Sequence, residues 1–132
     1  MMKVTFPGGM AVDAEFKGHT IHTDQPEKNG GANSSPAPFD LFLASIATCA
    51  GLYAMRFCER RGFSPGELSV TLDPVRDPEG KRLSTLRLEV HLPDGFPEKY
   101  HPAIVRAIDQ CAVKRAIVDP PEIEVQIAAP DA

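Results

Sequence analysis

Pro36-Ala37-Pro38-Phe39-Asp40-Leu41-Phe42-Leu43-Ala44-Ser45-Ile46-Ala47-Thr48-Cys49-Ala50-Gly51-Leu52-Tyr53-Ala54-Met55-Arg56-Phe57-Cys58-Glu59-Arg60-Arg61-Gly62 is the stretch that decides the fold. Apolar side chains fall on nearly every face of a helix drawn through it, which is the pattern of a core helix. Ser35 suits an N-cap with Pro36 at the first helical position, and a start nearer Pro38 fits as well. Asp40 stands near the end where the helix dipole favours negative charge, and Arg56, Arg60 and Arg61 stand near the other. Gly62 can close the helix in a left-handed conformation. The interior polar residues, Ser45 and Thr48, are small. Gly51 costs about 1 kcal/mol relative to alanine inside a helix, so it suggests close packing against another backbone.

Strands flank this helix. Val4 and Phe6 alternate with Lys3 and Thr5, Pro7-Gly8-Gly9 supplies a turn, and Met10, Val12, Ala14 and Phe16 alternate with Ala11, Asp13 and Glu15. That is the period of a half-buried strand. Lys17-Gly18 is a second turn and His19 to Thr23 a third strand, giving a β-meander. Asp24 to Ser35 is a polar, Gly- and Asn-rich connector. After Gly62 the expected strands are 68–72 and 86–92, around a loop at 73–82. Helical stretches come next at 103–111 and 112–118, with Ile104, Val105 and Ile108 inward and Arg106 and Asp109 outward. Pro120-Pro121 stops the second helix, and Ile123, Val125 and Ile127 form a last strand. The order βββ-α-ββ-αα-β makes the fold class α+β, in one domain spanning 1–132.

Composition narrows the function. The 132 residues suit one domain, 42% hydrophobic and 24% charged. A domain of this size needs neither disulfides nor metal to fold. The formal charge of −4 supplies no basic field for nucleic acid or anionic lipid, so neither partner is expected. Basic residues 56–61 read as a solvated helix end, since Glu59 and Glu67 stand nearby. No run reaches the roughly 18 apolar residues that span a bilayer. Met1 to Phe6 shows no signal-peptide pattern. The expected location is the cytoplasm, where thiols stay reduced.

No phosphate-binding glycine loop, GxSxG elbow or HExxH motif occurs, and neither cofactor nor metal is expected. His19 and His22 lie three apart on a strand, hence on opposite faces; His91 and His101 are scattered. Three cysteines remain: Cys49, Cys58 and Cys111. They are odd in number, widely spaced and without zinc-ligand pairing. Cys58 lies nine residues after Cys49, about 900° around the helix and roughly 13 Å along it, so these two cannot form a disulfide. Cys111 stays open as a redox partner for Cys49. Free cysteine also serves as a small buried hydrophobe, and that reading stands beside the reactive one for Cys49 and Cys111. Cys58, beside Phe57, is assigned to the core.

Two motifs carry a resemblance. Pro38-Phe39-Asp40-Leu41, then a small and apolar run to Cys49, nine residues after the acid, resembles the signature helix of the OsmC/Ohr family, the osmotically induced and organic hydroperoxide resistance proteins. Cys111-Ala112-Val113-Lys114-Arg115-Ala116-Ile117 resembles that family's second cysteine motif. The resemblance covers nearly the whole chain. It implies an OsmC-like α+β fold in which antiparallel six-stranded sheets wrap the long central helices of an interlocked homodimer, with active sites at the subunit interface. It implies a thiol peroxidase that reduces a small organic hydroperoxide, with Cys49 peroxidatic, Cys111 resolving and an external dithiol as reductant. Asp40 would stand with the catalytic residues, and Phe39, Phe42, Ile46 and Tyr53 would form an apolar substrate pocket.

The sequence departs from the characterised peroxidase branches. Those supply an arginine from the N-terminal third and a glutamate just after the proline. Here no arginine precedes Arg56, and Phe39 holds the glutamate position. The pattern resembles the broader OsmC-like branch. Lys28 and Arg56 are the candidate cations for Cys49, and Asp40 also suits a plain helix-terminus charge. Two other readings use the same outline. A binding module would hold a small apolar or electrophilic ligand without turnover. A hot-dog-fold thioesterase would use Asp40 as base or nucleophile and give Cys111 no role.

Overall fold

A computed structural model describes residues 1–130. The expected single domain runs on to Asp131 and Ala132, which lie outside the described residues. The chain divides into two compact units, Met1–Ala47 and Thr48–Ala132.

In the first unit β1 (Lys3–Gly8), β2 (Ala11–Phe16) and β3 (His19–Thr23) form an antiparallel meander in that order. Phe16 pairs with His19 across a two-residue turn, and both turn residues, Lys17 (φ 51°) and Gly18 (φ 79°), are left-handed. A type I′ hairpin needs that geometry, because its twist matches that of the strands it joins. The expected turn at Pro7 shifts. β1 continues through Pro7 to Gly8 over an irregularity between Thr5 and Gly8. Proline is tolerated there because β1 is an edge strand and needs no N–H on its outer side.

The connector after β3 is tied down by Asp24. Its side chain, only 2% exposed, accepts hydrogen bonds from the N–H groups of Gln25 (2.8 Å), Ala32 (3.2 Å) and Ser34 (3.1 Å) and from the Ser34 hydroxyl (2.7 Å). The Ser34 hydroxyl, then the Ser34 and Gln25 N–H groups, hold this carboxyl down at about 2 against the opposing effect of burial. Gly31 lies in the same loop, where a Cβ would sit 2.0 Å from the Gln25 carbonyl oxygen. Only glycine fits.

α1 (Pro38–Arg60) begins at the second of the two proline starts. Asp40 accepts a hydrogen bond from the Ala37 N–H at 3.0 Å, the reciprocal half of a capping box. The far end closes as expected. Gly62 is left-handed (φ 74°), its N–H bonds to Glu59 O at 3.1 Å, and the Phe63 N–H bonds to Cys58 O at 2.9 Å. That pair of bonds is a Schellman motif, which satisfies carbonyls the helix end would otherwise orphan.

The second unit packs its part of α1 with α2 (His101–Asp109) and the hairpin of β4 (Ser69–Arg76) and β5 (Leu83–His91). Ala50, Ala54, Phe57 and Cys58 of α1 meet Ile104 and Ile108 of α2, with Val70, Leu88 and Val90 of the hairpin packed against them. β4 runs further than expected, through Pro74 to Arg76. In a two-stranded sheet both strands are edges, so Pro74 can pair with Leu86 without donating outward. α3 (Ala112–Val118) comes after α2 across a short break.

Several expectations fail. Val105 is 53% exposed, whereas Ile104 is 1%. One residue is 100° of helix, enough to turn Val105 off the core face. Gly51 meets no other atom within 4 Å of where its Cβ would be, so no close backbone approach explains it among the described residues. α1 is not apolar core throughout, since Phe39, Phe42 and Leu52 stand exposed. By length and composition it also passes as a membrane span, contrary to the expectation that no segment would; a core helix passes the same test. Finally, Ile123, Val125 and Ile127 form no strand. Alternation shows which faces a segment would present but supplies no neighbour, and a strand exists only by pairing.

Candidate active site

Cys49 and Cys111 both belong to the second unit, and each thiol shifts the proton affinity of the other. Cys49 is half-buried on α1. Cys111 is 2% exposed and occupies the joint between α2 and α3. Its own backbone is fixed from both sides. Its N–H donates to Ile108 O at 3.0 Å, and its carbonyl accepts from the Arg115 N–H at 3.0 Å. Ile104 and Ile108 seat α2 in the core, so the position of Cys111 is set by packing.

The electrostatics of the two sulfurs diverge. Burial is the largest single influence on Cys49 and pushes its thiol up. The Cys111 thiol, the N–H groups of Val113 and Ala112 and the charge of Arg56 together outweigh it, so the Cys49 thiol lies below the ordinary range. Ala112 and Val113 open α3, where N–H groups have no partner within the helix. Cys111 goes the other way. Burial pushes its thiol up, and the Cys49 thiol and the Cys49 charge add to that, against the N–H groups of Lys114 and Val113. Of the two thiols, Cys49 therefore gives up its proton more readily. Cys58 is fully buried in the core, and desolvation alone raises it.

The other expected residues divide between the two units. Asp40, with Phe39, Phe42 and Ile46, belongs to the first. The Asp40 carboxylate caps α1 through Ala37. Phe39 and Phe42 pair with ring centroids 5.4 Å apart, and Ile46 is buried. Tyr53, half-buried, lies one turn after Cys49 on α1. Arg56 is the cation whose charge reaches Cys49, and Lys28 belongs to the first unit. Among the described residues no group of three or more His, Cys, Asp or Glu side chains could hold a metal. Two features escape a reading of the sequence. The backbone donors of Ala112 and Val113 leave no mark on residue type. Asp24 leaves one, since an aspartate opening a Gly/Asn-rich loop is a turn-organising signal.

A long helix bearing one thiol, an antiparallel meander and hairpin, and a second thiol at a helix joint together define an α+β protein of the OsmC-like fold. The model of the family described as OsmC-like protein matches residues 31–126, and the chain belongs to that family. A solved structure from Psychrobacter arcticus 273-4, assigned as an osmotic stress induced and detoxification response protein, is similar at 20% identity and a TM-score of 0.73, covering 87% of this chain and 85% of that one. An organic hydroperoxide resistance protein OsmC from Legionella pneumophila is similar at 18% identity and a TM-score of 0.53, covering 89% and 87%. Likeness at these identities establishes the fold. No curated protein sequence matches the chain significantly.

Proposed function

We propose that the protein is a thiol-dependent peroxidase that reduces organic hydroperoxides. The presence of Cys49 and Cys111 in one unit, each shifting the other and Cys49 being the one lowered, is the observation that carries this reading. A thiolate is the nucleophile that cleaves a peroxide. The Cys49 sulfur attacks the terminal oxygen of the hydroperoxide, the O–O bond breaks, and the alkoxide leaves and takes up a proton as the alcohol. Cys49 becomes a sulfenic acid. Cys111, having lost its proton, attacks that sulfur; water leaves and a disulfide forms. An external dithiol restores both thiols by exchange and is itself oxidised to a disulfide. Such a transient disulfide suits the reducing cytoplasm. Phe39, Phe42, Ile46 and Tyr53, on the helix that carries Cys49, would favour an organic over an inorganic peroxide.

A homodimer belongs to the same proposal. One chain leaves Phe39, Phe42 and Leu52 of α1 exposed, and it leaves Ile123, Val125 and Ile127 unpaired at 85%, 93% and 98% exposure. Among the described residues five strands are formed; a sixth at 123–127, paired with a second copy, would complete two six-stranded sheets per dimer. The test is consumption of cumene hydroperoxide with dithiothreitol as reductant. Turnover that vanishes in Cys49→Ser supports the reading. Absence of turnover at any dithiol concentration removes it. Acyl-thioester hydrolysis that survives Cys49→Ser would favour the thioesterase instead.

A further inference from the structure

Cys111 joins a helix that is anchored to one that is not. Ile104 and Ile108 seat α2 in the core. α3 has seven residues, none of them buried, and Val113 alone is half-buried. So short a helix is marginal without other support. Backbone bonds hold the joint from both sides. The Gln110 N–H donates to Ala107 O at 3.1 Å and the Cys111 N–H to Ile108 O at 3.0 Å, while Cys111 O accepts from the Arg115 N–H at 3.0 Å. The side chains add an ion pair across the joint, in which Lys114 Nζ donates to Asp109 Oδ1. Among the described residues it is the one ion pair that ties α2 to α3.

Both charges stand where their own helix disfavours them. Asp109 is the last residue of α2, at the negative end of that helix's dipole, and Lys114 lies in the first turn of α3, at the positive end. Each charge is therefore stabilised by the other and not by its helix. The pair spans residues 110–113, with Cys111 inside the span and 2% exposed.

We propose that the Asp109–Lys114 ion pair is a clasp that keeps the joint closed over Cys111 and so positions that thiol. With the clasp shut, Cys111 stays sheltered and in one place. With it broken, α3 frays from the joint and Cys111 is exposed part of the time. A second consequence rests on the peroxidase reading. A mobile Cys111 resolves the Cys49 sulfenic acid more slowly; a second hydroperoxide then transfers its terminal oxygen to the Cys49 sulfur, leaving sulfinic acid and a second alcohol.

The test is the rate at which iodoacetamide alkylates Cys111 in the full-length reduced protein at fixed pH, read by peptide mass spectrometry with Cys58 as internal control. Cys58 is fully buried in the core, so it reports opening of the whole unit, whereas Cys111 also reports opening of the joint alone. Asp109→Asn and Lys114→Gln should each raise the Cys111 rate about two- to five-fold, the factor that a part-exposed pair contributes, and leave the Cys58 rate unchanged. Lys114→Gln should act more strongly, because it leaves a carboxylate alone at the end of α2. The reversed pair, Asp109→Lys with Lys114→Asp, should return the rate to the wild-type value or below it. Sodium chloride at about 1 M should raise the wild-type rate toward that of the single variants and leave theirs unchanged, since only the wild type has a pair to screen. A Cys111 rate that ignores the variants, a reversed pair that behaves like the single variants, or a Cys58 rate that rises in step overturns the proposal. Under cumene hydroperoxide the single variants should yield less Cys49–Cys111 disulfide and more Cys49 sulfinic acid than the wild type. The alkylation rates need no peroxide chemistry. A chain that shows them yet leaves cumene hydroperoxide untouched refutes the peroxidase reading and keeps the clasp; a working peroxidase whose Cys111 ignores the pair refutes the clasp alone.

Discussion

Ile104 and Val105 are adjacent on α2, and the structure makes opposite predictions for them. Ile104 is 1% exposed inside the cluster of Ala50, Ala54, Phe57, Cys58 and Ile108; Val105 is 53% exposed. Ile104→Ala removes three buried carbons, about 2.4 kcal/mol of transfer free energy at roughly 0.8 each. The cavity left behind adds to this, because the surroundings relax only in part, and places the total near 3 kcal/mol within the usual range of about 2–5. Val105→Ala, on the solvent side, is expected to change stability by less than about 0.5 kcal/mol. Urea unfolding monitored by circular dichroism reads both. With a slope of about 1–3 kcal/mol per molar urea, Ile104→Ala lowers the midpoint by about 1–3 M at fixed protein concentration. Equal losses at the two positions, or the larger loss at Val105, would refute the assigned core face of α2, and with it the argument that packing fixes Cys111.

The same physics predicts other outcomes. Asp24 is depressed in the folded chain to about 2, so its stabilising contribution is complete above the ordinary carboxylate range and is lost as pH falls toward 2. Urea midpoints between pH 5 and 2 should therefore fall less steeply for Asp24→Ala than for the wild type; parallel curves would contradict the loop-clamp role. Gly31→Ala should be among the most damaging glycine changes, because its Cβ meets a backbone oxygen that cannot rotate away; an unchanged thermal midpoint would contradict it. Val125→Asp should leave the chain's own fold intact, since that side chain is almost fully exposed there, yet dissociate the proposed homodimer in sedimentation velocity. A wild-type monomer, or an unaffected dimer, would contradict the proposed pairing of 123–127.

What was legible in the sequence was what local physics writes there. Gly62 reads as the stop of α1 because a left-handed residue was needed, and Lys17-Gly18 reads as a hairpin turn. Residues whose role depends on a distant neighbour were less legible. Val105 looks as apolar as Ile104, and only the packing of α2 tells them apart. Pro74 looks like a strand breaker until its strand proves to be an edge. Ile123, Val125 and Ile127 have the strand period but no mate among the described residues. The site divides in the same way. Cys49 is marked by its place on the helix, and Cys111 first by the exclusion of Cys58 and then by resemblance. Their influence on each other, and that of the N–H groups of Ala112 and Val113 on Cys49, depends on tertiary packing, which no spacing encodes.

Peptide mapping of the reduced protein after one equivalent of cumene hydroperoxide, with no added dithiol, interrogates the chemistry at its source. The expected product is a single intramolecular Cys49–Cys111 disulfide with Cys58 still a free thiol. Recovery of Cys49 unmodified, or of Cys49 over-oxidised to sulfinic acid beside a free Cys111, would contradict it.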